Sequence, residues 1–289
     1  MAGSLVSHLL LLTSVLALTR AQTAVDTVFY PSGSGVCTTL SDPNETFLLA
    51  NFTTAFKYFG RTYTQVYVNN NGLLTFKKEL PESSPIVFPS NGNEDYIAPL
   101  WSDLDDVGLG TYCYQQYSNG NVLDRATQDI NQYFPNKGFV ASWVFVATWD
   151  TTSTDQSTTI TVQVVLISSG GFSFILMNYG TCSVITYQVQ AGFDTIGSTN
   201  FFVIPNSSDG QTIPNLKSSS NIGTPGRWAF VVNKGTVNTV GLHLHLSSIS
   251  NLTDSGNVQV ILDKVKQKLV SNGLPSNIQL NLKKVLKKP

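Results

Sequence analysis

Between Phe47 and Phe76 the chain reads FLLANFTTAFKYFGRTYTQVYVNNNGLLTF, with apolar residues alternating with polar ones around Gly60 and around Asn69-Asn70-Asn71-Gly72. A period of two places successive side chains on opposite faces of a strand, and Asn-Gly tolerates the positive φ that a tight hairpin turn demands. The stretch therefore predicts paired antiparallel strands. Residues Asn136 to Trp149, NKGFVASWVFVATW, are apolar on both parities, as expected of a central strand covered on both faces. TTITVQVVLI and FSFILMNYG follow, separated by Gly170-Gly171, a short hairpin connection. Further strands are expected at Ser183–Gln190, Asn200–Ile204 and Trp228–Val232.

One helix interrupts this texture. Asp124 is placed to cap RATQDINQYF, which puts Ala126, Ile130, Tyr133 and Phe134 on one face for packing beside a sheet, and Pro135 forbids continuation. Asn206 to Gly226 reads as a turn-rich surface loop. After Gly235 the pattern changes. VGLHLHLSS has strict period two, and DSGNVQVILDKVKQKLVSNG is an amphipathic helix capped by Asp254 or Ser255, with Val258, Ile261, Leu262, Val265 and Leu269 inward and Gly273 as its stop. NIQLNLKKVL supplies a second strand, completing a small α/β (strand-helix-strand) unit at 236–289.

The first residues, MAGSLVSHLLLLTSVLALTRA, read as a secretory signal peptide, residues 1–21, with cleavage expected after Ala21 and an alternative after Ala17. Their apolar run falls short of the ~20 residues needed to cross a bilayer, and neither a membrane span nor a lipid-anchor tail is expected elsewhere. In a secreted chain the sequons at Asn44, Asn51, Asn206 and Asn251 are acceptor candidates for N-linked glycans, set against the frequency with which such triplets arise by chance in Asn-, Ser- and Thr-rich sequence. Three cysteines leave one over after a single bridge. Cys113 and Cys182 both fall within the expected β domain, whereas Cys37 precedes it, so the expected bridge is Cys113–Cys182 with Cys37 unpaired or linking an oligomer.

Six separate words resemble the NIDO domain found in nidogen, in alpha-tectorin and in some membrane mucins. They are YIAPLWSDLDD (Tyr96–Asp106), GTYCYQQ (Gly110–Gln116), FVASWVFVATWD (Phe139–Asp150), VQVVLISSGGFSFILMNYG (Val162–Gly180), QAGFD (Gln190–Asp194) and SNIGTPGRWAFVV (Ser220–Val232). FKYFGRTYTQVYVNNNGLLTF is similar to the family's first hairpin, and VFYPSGSG to the opening of its tectorin branch. The resemblance covers roughly two thirds of the chain. It implies an extracellular protein concerned with cell–matrix adhesion and matrix assembly, here expected as a stand-alone member without the family's usual cysteine-rich modules. At Thr181–Gln188 the sequence TCSVITYQ departs from the Trp- and Gly-containing turn usual in the family, so the local surface is its own.

The expected architecture is thus mainly β: a signal peptide at 1–21, an N-terminal arm at 22–46, an antiparallel β-sandwich-like NIDO domain with one packing helix at 47–235, and the α/β unit at 236–289. No catalytic residue, cofactor site or firm metal site is expected. His243 and His245 alone remain after signal removal, share one strand face and are too few for a closed metal site; their plain reading is a solvent-facing strand. No Gly-rich phosphate loop joins a strand to a helix. Asp103, Asp105 and Asp106 are calcium candidates because Asp103 and Asp105 would point the same way on a strand, but no EF-hand spacing accompanies them, and acidic turn residues meeting Arg125 or Arg227 explain them as well. They carry the alternative function, a calcium-dependent carbohydrate-binding or carbohydrate-active protein. Trp101, Trp143, Trp149 and Trp228 are expected in the core, three of them lying within apolar runs.

Charge completes the picture. From Thr236 to Pro289 seven lysines face two acids, a net +5 in a chain of net −1, so residues 1–235 carry −6. Lys283, Lys284, Lys287 and Lys288 crowd the end of the last expected strand, either guarding its edge or offering a basic surface to sulfated glycans. The expected partners are extracellular matrix proteins or sulfated glycans, in the extracellular space or matrix. Nucleic acid is excluded by that compartment and by the near-neutral charge.

Overall fold

The computed structural model describes residues 28–32, 37–39, 46–107, 109–234, 255–271 and 280. They divide into two compact units, Met1–Val237 and Asn238–Pro289. Among the described residues, the larger unit holds twelve strands in two antiparallel six-stranded sheets. In chain order they are β1 (Thr38–Thr39), β2 (Phe47–Tyr58), β3 (Arg61–Asn69), β4 (Leu73–Thr75), β5 (Tyr96–Trp101), β6 (Leu109–Tyr117), β7 (Trp143–Thr152), β8 (Thr159–Ser169), β9 (Phe172–Cys182), β10 (Gln190–Asp194), β11 (Phe201–Val203) and β12 (Arg227–Val231). One sheet runs β1-β6-β7-β8-β9-β12 and the other β11-β10-β5-β4-β3-β2. The fold is mainly β and sandwich-like, as the alternation predicts.

The turns sit where glycine and asparagine allow them. Tyr58 pairs with Arg61, so Phe59 and Gly60 form a two-residue hairpin loop with φ of 45° and 84°, the positive pair that matches strand twist. Gly72 ends the Asn69–Gly72 turn at φ 78°, and a Cβ there would run into the Leu100 carbonyl.

Between the sheets, Ala50, Tyr58, Val66, Val68 and Leu74 meet Trp143, Phe145, Trp149, Val164, Leu166 and Met177. A second core lies on the far side of the first sheet, where helix α2 (Asn121–Tyr133) packs Val122, Leu123, Ala126 and Ile130 onto Val144, Val146, Val165, Ile167 and Leu176. Those two cores explain why β7 and β8 read apolar on both parities. A third, smaller core covers part of the other sheet's outer face with Leu80 and Phe88 against Leu73, Tyr96, Ala98 and Trp101. All four tryptophans are buried.

Several expectations differ in detail. The helix starts three residues before Asp124, its N-cap is Gly120 at φ 84°, and no side chain caps it; the acid at Asp124 still serves the first turn electrostatically. Ser183–Val189 is a loop, and pairing begins only at Gln190. The loop of 206–226 contains a 3-10 turn, Ile213–Ser218, whose Ile213 and Leu216 are buried in the main core. Period-based reading sees turn residues there and misses two isolated apolar anchors. In the smaller unit, helix α3 (Ser255–Ser271) is present, and Val258, Ile261, Leu262, Val265 and Leu269 are half-buried along it. The expected strands at 240–248 and 277–286, His243, His245, Asp254 and Gly273 lie outside the described residues, as do the signal peptide and its cleavage points.

Candidate binding surface

The cysteine pairing corrects the expectation. Cys37 is bonded to Cys113, with Cα atoms 5.7 Å apart, and Cys182 is a buried thiol. The cause is β1, a two-residue strand that sets Thr39 opposite Cys113 and Thr38 opposite Tyr114. Cys113 pairs with Thr148 on the sheet's outer side, whereas Cys182 ends β9, three strands away, and points into the main core. Three strand spacings of roughly 4.8 Å exceed the ~7 Å limit for Cα atoms joined by a disulfide. An intermolecular bond through Cys37 is accordingly replaced by this internal one. Burial pushes the Cys182 thiol up to about 12.

The acidic word also folds differently from a strand. Asp103 is half-buried and Asp105 and Asp106 fall in a single helical turn, α1 (Leu104–Val107), so the alternation that would have aligned Asp103 with Asp105 is absent. Among the described residues no group of three or more His, Cys, Asp or Glu is arranged to hold a metal ion. Arg125 and Arg227 both pair with Asp129.

The conspicuous ion pairs are internal ties that sequence reasoning missed, because their partners are distant in the chain. Asp95 is fully buried and receives two hydrogen bonds from Arg61, each 2.6 Å, one from the Tyr63 hydroxyl, and one from the Ile196 amide at 2.9 Å. It thus pins the turn after β10 to the β2–β3 hairpin. Asp194, equally buried, accepts from the Ser90 amide at 2.6 Å and from the Ser198 hydroxyl at 3.0 Å. These carboxylates satisfy loop amides and leave nothing presented to solvent.

A few large apolar side chains do face solvent. Two loops converge on the end of β5. The first, following β4, donates nothing to Trp101 but accepts its indole N–H on the Glu82 carbonyl at 2.9 Å. The second, 183–189, accepts the Ser102 hydroxyl on the Gln188 carbonyl at 2.9 Å. Phe88 N–H to the Gln190 side chain, 3.4 Å, links them. These loops expose Ile86, Val87, Val184 and Tyr187, and Val87 retains 75 % of its accessible surface. Val184 and Tyr187 lie in the stretch TCSVITYQ that departs from the family pattern.

Of the sequons, Asn51 is exposed on edge strand β2 and Asn206 is exposed on a turn at φ 64°. Asn206 neighbours Gly210, whose carbonyl accepts the Ile185 amide at 3.2 Å, so this acceptor borders the second loop. Asn44, Asn251, Lys283, Lys284, Lys287 and Lys288 lie outside the described residues. No helix among the described residues is long and apolar enough to cross a membrane.

The family model of the nidogen-like domain matches residues 64–234. The chain belongs to the nidogen-like domain family. Human alpha-tectorin is 36 % identical over 195 residues, a match covering 61 % of this chain and 9 % of the relative. The Drosophila melanogaster nidogen is 30 % identical over 195 residues, 61 % of this chain and 14 % of the relative. Human nidogen-1 is 27 % identical over 210 residues, 62 % of this chain and 16 % of the relative. The match thus spans under a fifth of each of these relatives. No solved structure matches the chain. The nidogen-like match begins in β3 and ends just past β12, so it covers most of both sheets while leaving the arm and β2 outside.

Proposed function

We propose that this protein is a secreted, non-enzymatic component of the extracellular matrix that acts in cell–matrix adhesion by binding other matrix molecules. One observation carries the reading. The buried charged side chains of its nidogen-like domain hold the fold together, while Ile86, Val87, Val184 and Tyr187 stand exposed on two anchored loops. Exposed apolar side chains on rigidly held loops suit protein recognition better than chemistry on a small molecule. Membership of a family that includes alpha-tectorin and nidogen supports the compartment. The lysine-rich end, +5 over residues 236–289, adds a basic segment suited to sulfated glycans. N-glycans at Asn51 and Asn206 are part of the same proposal.

Secretion is tested by expression in a secretory cell. The protein is expected in the medium with a mass that falls on enzymatic removal of N-glycans; retention in the cytosol with an intact N-terminus overturns the proposal. Binding is tested by titrating the secreted protein onto cell-derived matrix. Saturable binding that persists in a calcium chelator and weakens at least fivefold with V87D/Y187D is expected. Absence of saturable binding removes the matrix reading, and equal binding by the double variant removes these loops as its surface. On heparin, retention at low salt and release near physiological ionic strength are expected. Equal retention after replacement of Lys283, Lys284, Lys287 and Lys288 by Gln assigns those lysines a solubilising role instead.

A further inference from the structure

A row of polar side chains crosses the helix-covered face of the first sheet, perpendicular to its strands. Thr148, Gln163, Asn178 and Arg227 occupy directly paired positions on β7, β8, β9 and β12. Gln163 Nε2 donates to Thr148 Oγ1 at 2.8 Å, Asn178 Nδ2 to Gln163 Oε1 at 3.0 Å, and Arg227 Nε to Asn178 Oδ1 at 2.8 Å. All four are buried, on a face that is otherwise Val144, Val146, Val165 and Ile167. Buried polar groups on an apolar face are costly unless something satisfies them.

The N-terminal segment Val28–Tyr30 does so. Gln163 takes both main-chain groups of Tyr30, accepting its N–H at 2.8 Å and donating to its carbonyl at 3.1 Å, the two-bond pattern that a neighbouring strand residue would supply. Arg125 donates to the Phe29 carbonyl at 2.6 Å and to the Val28 carbonyl at 3.2 Å, and Arg227 also donates to Val28. The Tyr30 hydroxyl donates to Asp129 at 2.9 Å, and Arg227 holds the same carboxylate at 2.7 Å. The Arg125 and Arg227 guanidinium groups stand 4.2 and 5.7 Å from the Tyr30 ring centre. Main chain, ring and hydroxyl are each recognised by fixed partners, as in a peptide-binding site.

We propose that this site is a peptide-recognition socket and that Val28–Tyr30 is an exchangeable ligand, so that the same segment of a second copy docks there in trans and links copies of this chain. The inference is independent of the matrix reading. Every contact named above is non-covalent. Seven residue steps separate Tyr30 from Cys37, a reach of at most about 25 Å, and Cys37 is tied to β6 by its disulfide. Such a short tether gives the chain's own arm an effective concentration in the millimolar range, so exchange between copies requires copies concentrated to a similar level, as in an assembly. The partner chemistry is defined: the aliphatic-aromatic-tyrosine segment of another copy.

The test uses the full chain with a protease site replacing Ser32–Gly35, cleaved after folding. A labelled Thr-Val-Phe-Tyr-Pro peptide is expected to exchange into the cleaved chain at one per chain. The peptide with Phe in place of Tyr30 is expected to bind about tenfold more weakly, having lost a hydrogen bond to a charged acceptor. The uncleaved chain, whose socket is filled in cis, takes up far less peptide at the same concentration. Near millimolar concentration the intact chain is expected to form dimers that excess peptide dissolves. A cleaved chain with unchanged near-ultraviolet circular dichroism that takes up no peptide at millimolar concentration overturns the proposal. So does one that loses this signal and does not recover it with added peptide. Absence of dimers, or dimers indifferent to peptide, overturns the link between copies.

Discussion

The two sheets of the sandwich are built to the same size but meet solvent differently. The sheet β1-β6-β7-β8-β9-β12 has the main core on one face and, on the other, helix α2 and the Val28–Tyr30 segment. The sheet β11-β10-β5-β4-β3-β2 shares the main core but is only partly covered outside, with Leu49 and Asn51 of β2 exposed. Enclosure sets the polar rules: a polar side chain in the closed sheet must find a protein partner, whereas one on the open face has water. The closed sheet accordingly carries a linked polar row, and the open sheet a free outer surface.

The largest effect expected from this contrast is at Arg227. Replacing it by Leu removes its bonds to Asn178, Tyr133 and the Val28 carbonyl and leaves Asp129 with a weakened set of donors. Breaking a buried pair in this way costs about 3–5 kcal/mol, and the lower end is expected because Asp129 keeps Tyr30 and part of Arg125. Urea unfolding monitored by tryptophan emission measures it. A loss below 1 kcal/mol would show that the closed sheet does not depend on its polar row.

The disulfide ranks next. It joins residues 76 apart, so C37S or C113S is expected to cost about 2–4 kcal/mol, chiefly by releasing the unfolded chain. Non-reducing peptide mapping is expected to link Cys37 to Cys113. Cys182, with its thiol buried and pushed up to about 12, is expected to alkylate only after unfolding. Rapid alkylation of Cys182 in the folded protein would place β9 at an accessible surface and break the comparison.

Alkaline pH probes both sheets together. Burial, with Glu94, Asp194 and Glu82 adding to it, pushes Tyr96 up to about 12. Burial also raises Tyr30 and Tyr63, each beside a carboxylate, and Tyr58 and Tyr179. A folded-state value above the unfolded one near 10 means that stability is intact below about pH 10 and is lost as pH rises past it. Tyrosinate absorbance is expected to show these five silent until the fold gives way, in one cooperative step with circular dichroism. Their titration near pH 10 while the fold persists would mean that water reaches them.

The strands were legible because enclosure and half-exposure leave different periods. β7 and β8 read apolar on both parities, β2 and β3 alternate, and Gly60 and Gly72 mark turns whose φ only such residues adopt readily. The disulfide was not legible, because β1 is two residues long and carries no period. Nor was the socket: Gln163, Asn178 and Arg227 are single polar residues in three separate strands, and only the strand register aligns them. Tyr30 is distant from all of them in sequence. The candidate binding surface was half legible, since the departure of TCSVITYQ from the family pattern marked one loop, while Ile86 and Val87 sit in a stretch without any motif.

The smallest stability effect is expected where the open sheet meets solvent, and it separates folding from recognition. L49S, V87S and Y187S each remove an apolar group that is partly in water already, Val87 most of all at 75 % exposure, so the burial lost is limited. Exposed substitutions away from caps, ion pairs and strained backbone stay within about 0.5 kcal/mol. Leu49 pairs with Tyr67 on β3, which sets it near the upper end of that range through a lost cross-strand contact. Val87 and Tyr187 are expected nearer zero, because the ties that hold their loops run through Trp101 to the Glu82 carbonyl and Ser102 to the Gln188 carbonyl, neither of which these substitutions touch. Thermal unfolding of the three variants beside wild type measures the effect, and binding to matrix under the same conditions measures the surface. If V87S or Y187S costs more than 1 kcal/mol, these side chains are packed into the fold and the open sheet is less open than its exposure indicates. If stability is unchanged while binding falls, the exposed face is maintained for a partner and not for the fold.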